Sequence, residues 1–178
     1  MSKPSRRPSR PGLCAPIALH EFEALDRTHA DVVLHLKQLE QLVDHLEREG
    51  VDERARALAA AVCRFFEDTA RAHHEDEERV VFPPLLGSPD SELVQQVQRL
   101  QQDHGWLEED WRELHATLST IAEGHAWHDP SGLRQMCEVF STLYIEHIAL
   151  EETLIYPASK QRLMTAEDAD NRRSAMSA

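Results

Sequence analysis

The sequence predicts an all-α protein, an up-down-up-down antiparallel four-helix bundle with an internal two-fold sequence repeat. Three observations lead there. Leu, Ala, Glu, Gln and Arg dominate a chain of 178 residues with only 6 glycines, which favours helix over sheet. Apolar residues recur in steps of three and four through four successive segments. One pattern, HxxxEExxx(F/Y)P, is written twice at a spacing of 74 residues, from His73 to Pro83 and from His147 to Pro157.

The first helix is expected from about Ile17 to Glu49, with Phe22, Leu25, Val32, Leu36, Leu39, Val43 and Leu46 in its apolar seam and His29 in a seam position. The second runs from about Asp52 through Leu58, Val62, Phe65, Thr69, His73, Glu77 and Val80. The third follows the start signal Ser88-Pro89-Asp90 and places Leu93, Val97, Leu100, His104, Leu107, Trp111, Leu114, Leu118 and Ile121 inward. The fourth opens at Asp129-Pro130, an aspartate cap with proline in the first turn, and carries Leu133, Met136, Phe140, Leu143, His147, Leu150 and Leu154. The breaks at Glu49-Gly50, Pro83 to Ser88 and Glu123 to Asp129 are short, which in a bundle means antiparallel neighbours.

At 178 residues and 41% hydrophobic content the chain can bury one good core. We assign residues 1–15 to a disordered basic arm, 16–160 to the bundle and 161–178 to a polar C-terminal tail with a turn of helix from Thr165. The net charge of −13 works against binding to nucleic acid or to anionic lipid. No apolar run suits a signal peptide or approaches a membrane span, so a soluble, cytoplasmic protein is expected. Cys14, Cys63 and Cys137 make no CxxC and no even framework, in keeping with a reducing compartment. Cys63 and Cys137 each precede their motif histidine by ten residues, as equivalent core positions would.

Four seam histidines call for a reason, because a helical core needs no imidazole. Residues four apart share a helix face, so His73 with Glu77 and His147 with Glu151 form two nitrogen-plus-carboxylate clips. His29 lies 44 residues before His73, and His104 lies 43 before His147. Counted from the glycine breaks at ~1.5 Å per residue, all four histidines fall at about one height in the bundle. Burying two unpaired carboxylates costs several kcal/mol each unless cations or protons neutralise them, so the layer reads as a metal site. Carboxylate and imidazole donors suit iron or manganese.

With those residues assembled, the chain resembles the hemerythrin-like, or HHE cation-binding, family over roughly residues 17–160. The resemblance implies a bundle holding two non-haem irons, oxo- or hydroxo-bridged, with His29, His73, His104 and His147 as terminal ligands and Glu77 and Glu151 bridging. Two departures separate it from the oxygen carriers of that family. Their third helix has HxxxH where this chain has His104 and Glu108, and their fourth has HxxxxD where this chain has His147 and Glu151. The pattern is closer to family members linked to iron sensing and to repair of damaged iron centres, though the extra cysteine-bearing domain of the repair proteins is absent from these 178 residues. Glu108 is a seventh candidate ligand, with Val33 as its counterpart in the first half; its alternative is an ion pair with Arg112.

His74 and Glu78 form a rival clip shifted by one residue, but the repeat spacing selects His73 and Glu77, leaving His74 at the surface or against a neighbouring helix. Glu75, Asp76 and Glu152 read as a solvated acidic rim, His45 as a solvent or loop residue, and Tyr144 as packing or a donor to His147. The functional expectation is a di-iron protein that meets a small oxidant, dioxygen, peroxide or nitric oxide, at an open metal position. The alternatives are an iron or oxygen sensor that engages a protein partner, and an iron donor for iron–sulfur repair.

Overall fold

The computed structural model describes residues 19–125 and 129–176. The expected basic arm and the histidine at position 128 lie outside them. Among the described residues the chain is helical and has no strand. The first helix is Leu19–Glu49 and the third is Ser91–Ala122. The second is one rod of successive pieces, Glu53–Arg64, Phe65–Ala70, Arg71–Asp76, Glu77–Val81 and Phe82–Leu86, of which Phe65–Ala70 and Glu77–Val81 are π turns. The fourth joins Pro130–Leu150, a π turn Glu151–Ile155 and Tyr156–Met176.

Local chemistry sets the ends. Gly50 and Gly124 adopt positive φ of 74° and 93°, the left-handed turn that stops a helix at small cost only for glycine. Asp52 Oδ1 accepts from the Ala55 N–H at 2.8 Å, and Asp90 Oδ1 from the Glu92 and Leu93 N–H groups at 3.0 and 3.2 Å. Such caps contribute about 1 kcal/mol each, whereas one fully buried leucine contributes about 1.5–3 kcal/mol. Burial therefore decides the architecture and the caps tidy it.

The first helix packs on the second, the second on the third, the third on the fourth and the fourth on the first, closing a bundle around one axis. The buried apolar residues form two clusters. The larger runs from Val32 to Leu46 on the first helix and includes Phe66, Leu114, Leu118, Ile121 and Phe140. The smaller joins Phe22, Leu25, Phe82, Leu85, Val97, Ile155 and Tyr156. Buried His29, His73, Glu77, His104, His147 and Glu151 occupy the layer that divides them.

Two expectations change. The fourth helix continues to Met176 rather than giving way to a tail with one helical turn, because no glycine or proline interrupts the chain after Pro157 and alanine and arginine recur along it. His45 is buried and donates from Nε2 to Asp52 Oδ1 at 2.9 Å, so it clasps the first inter-helix turn.

Candidate metal centre

Glu77 and Glu151 sit at the start of matching π turns, and the cause is in the proline that ends each motif. Pro83 and Pro157 offer no N–H, and a proline ring crowds the carbonyl one turn back. The backbone widens instead: the Phe82 N–H bonds to the Glu77 carbonyl and the Tyr156 N–H to that of Glu151, five residues back in each case. Each widened turn begins at a carboxylate that points into the layer.

The two carboxylates divide their oxygens. Glu77 Oε1 lies 3.4 Å from His73 Nε2 and 4.0 Å from His29 Nε2, while its Oε2 lies 3.5 Å from His104 Nε2. Glu151 Oε1 lies 3.1 Å from His147 Nε2, and its Oε2 3.2 Å from His29 Nε2. Donor atoms at right angles around an ion bound at ~2.1 Å stand about 3 Å apart, so these spacings suit shared coordination. Two groups follow, His29, His73, Glu77 and Glu151, and His104, His147, Glu77 and Glu151, each with its donor atoms within 4.8 Å of one another.

The unpartnered atoms of the interior gather at this place. Among the described residues, and apart from Gln38 Oε1, the buried side-chain oxygens and nitrogens without a hydrogen bond are His73 Nδ1, Glu77 Oε2, His104 Nε2, both ring nitrogens of His147 and both oxygens of Glu151. Leaving so many lone pairs dry and unmatched is costly, and cations satisfy them. The donor set fits a metal.

Without an ion the carboxylates and imidazoles titrate against each other. Burial and the negative charge of Glu77 push Glu151 up to about 8. Burial acts the same way on Glu77, but His73, His104 and His74 outweigh it and hold Glu77 below the usual carboxylate range. Burial, helped by the neighbouring His29, His104 and His147 and opposed by Glu77, brings His73 down to about 4. It opposes charge on His29 too, yet the close carboxylate of Glu151, with Glu77 and Glu152, raises that imidazole. One proton thus stands in part where cations would.

The residues around the donors fix their direction. His29 Nδ1 donates to Glu152 at 3.1 Å, and His104 Nδ1 to Glu78 at 3.0 Å, which leaves both Nε2 lone pairs facing inward. Tyr156 stacks on His29 at 5.3 Å and Phe82 on His104 at 5.5 Å. The Tyr156 hydroxyl donates to Glu77 Oε1 and lies 3.2 Å from His29 Nε2. Buried Asp103 stands 3.9 Å from His147 Nδ1. His74 does meet a neighbouring helix: its Nε2 is hydrogen-bonded with the Tyr144 hydroxyl at 3.0 Å, and its ring stacks on His104 at 4.1 Å.

Sequence reasoning gave two of these other roles, Glu78 in the shifted clip with His74 and Glu152 in the acidic rim, and gave Tyr156 none. Glu78 and Glu152 are the second glutamate of each motif, and their regular doubling was the available signal. Tyr156 was visible only as the motif's aromatic. Glu108 is corrected: it is exposed and pairs with Arg112 at 3.7 Å, and no candidate ligand group among the described residues includes it. After His104 the inward seam steps by three to buried Leu107, so a residue four on falls outside it.

A groove of about 1020 Å³ between the second and third helices has His74, His104 and Tyr144 of the layer and its surroundings in its lining. No helix among the described residues is long and apolar enough to cross a membrane. The family model of the hemerythrin HHE cation binding domain matches residues 20–159. An uncharacterized protein of Haemophilus influenzae is 31% identical over 135 residues, 75% of this chain and 75% of its own length. No solved structure matches the chain.

Proposed function

The chain belongs to the hemerythrin HHE cation-binding family, and from that premise we propose that it is a non-haem di-iron protein that binds or reacts with a small oxidant: dioxygen, peroxide or nitric oxide. One observation carries the reading. Each of two buried carboxylates presents one oxygen to the His29 and His73 side and the other to the His104 and His147 side. His29 and His73 would hold one ion, His104 and His147 the other, and Glu77 and Glu151 would bridge them. The antiparallel up-down-up-down order and the two-fold repeat belong to the same reading, supported by the crosswise pairs His29 with Glu152 and His104 with Glu78.

Iron bound here supplies variable valence and exchangeable coordination positions to a small ligand. The chain supplies the rest. Glu78 and Glu152 hold two imidazoles with their lone pairs inward. Tyr156 keeps a hydroxyl proton beside Glu77 and His29, where it can donate to a ligand on that side. Apolar clusters above and below keep bulk water from the layer, and the groove gives a small molecule a way in.

Anaerobic loading with ferrous iron, followed by separate addition of dioxygen, hydrogen peroxide and nitric oxide, tests the proposal. It expects two irons per chain and a change in the visible spectrum with at least one of the three. Absence of any reaction overturns it. A second reading, an iron sensor, draws on the unpartnered buried atoms, because an ion that satisfies them stabilises the fold. Identical protease cleavage of metal-free and iron-loaded protein contradicts that reading.

A further inference from the structure

The doubled histidine of the first motif places a fifth imidazole beside one half of the centre. One ring nitrogen from each of His74, His104 and His147 lies within 4.8 Å of the other two. His74 stacks on His104 and stands edge-on to His147 with ring centres 5.5 Å apart. The second motif has Ile148 at the matching position, so the His29 and His73 side has no such neighbour. His74 also lines the groove that opens to solvent, and His104 lines it beside His74.

A neutral imidazole has a single lone pair. The Tyr144 hydroxyl lies 3.0 Å from His74 Nε2, so that nitrogen is engaged by Tyr144 and is closed to an ion while the contact lasts. Tyr144 is buried, on the fourth helix one turn before His147, so its hold on His74 is tied to the helix that also supplies a ligand.

We propose that His74 is a reserve ligand of the His104 and His147 ion, withheld by Tyr144 and released to it as an ion arriving through the groove is seated. The centre is then uneven, with three imidazoles on one ion and two on the other. The Glu108 position of the third helix contributes none of this; the third imidazole comes from the second helix. This inference rests on the di-metal reading.

Cobalt(II) serves as the probe, being paramagnetic and stable in air. Full-length protein titrated with Co²⁺ should take two ions and show contact-shifted proton resonances from five histidine rings. His74→Gln should leave four such rings and weaken the weaker of the two binding steps at least tenfold. Tyr144→Phe should keep five rings and tighten that step severalfold, since the competitor is gone. A merely structural His74–Tyr144 pair predicts the opposite for Tyr144→Phe: looser packing and equal or weaker binding. Two bound ions with four shifted rings in the unaltered protein, or a His74→Gln titration that matches it, overturns the reserve ligand and leaves the di-metal reading intact. Failure of the unaltered protein to bind Co²⁺ overturns both.

Discussion

At the scale of single residues, what each side chain does follows from where its lone pairs point. Glu77 and Glu151 are buried with oxygens that no proton donor fully satisfies, so on the proposed reading a bound ion should stabilise the layer. Replacing His73 or His147 by alanine should lower metal content and, by leaving carboxylates uncompensated, cost on the order of 3–5 kcal/mol in thermal or denaturant unfolding. Tyr156→Phe keeps the ring stacked on His29, as Phe82 already stacks on His104, and removes one hydroxyl. In metal-free protein it should cost about 1.5–3 kcal/mol, the worth of a hydrogen bond to a charged group, measured by urea denaturation. The six histidine and glutamate positions were legible because a fixed interval repeats them. Glu78, Glu152 and Tyr156 were not, since helix periodicity tells which way a residue faces and not that a long side chain reaches an imidazole on another helix. Glu108 misled for a related reason: four residues apart means one face, but the seam itself had moved on to Leu107.

At the scale of elements, the π turns place the carboxylates and the motif prolines cause the π turns. Pro83→Ala together with Pro157→Ala restores both N–H groups and should let the rods relax toward ordinary α geometry. The double variant should fold at least as stably, since proline inside a helix costs about 3 kcal/mol against alanine. It should nevertheless bind metal at least tenfold more weakly, read by competition with a chromogenic chelator. Unchanged affinity would separate the π turns from the site. The widened turns could not be read from periodicity, but the prolines that cause them stood in the sequence. Helix starts at Asp52, Asp90 and Asp129 and stops at Gly50 and Gly124 were legible because each is local chemistry.

At the scale of the whole molecule, the layer couples metal, protons and stability. In chelator-treated protein Glu151 is raised to about 8 from an ordinary 4.5, and His29 is raised as well. Groups raised in the fold contribute stability below their unfolded values and lose it as pH rises through the folded ones. Metal-free protein should therefore melt at lower temperature as pH goes from 6.5 to 9. Loaded protein should show the reverse slope between pH 5 and 7, because ions displace those protons. Burial also pushes the thiols of Cys63 and Cys137 up to about 11 and 12, so both should resist alkylation at pH 8 until the bundle unfolds, as peptide mapping will show. The central claim is that Glu77 and Glu151 join two irons in one coupled unit. Electron paramagnetic resonance of the oxidised, iron-loaded protein, with metal analysis of the same sample, tests it most directly. The account predicts two irons per chain and almost no signal, their spins cancelling through the shared bridges; one iron per chain, or an isolated high-spin ferric signal accounting for all the iron, would contradict it.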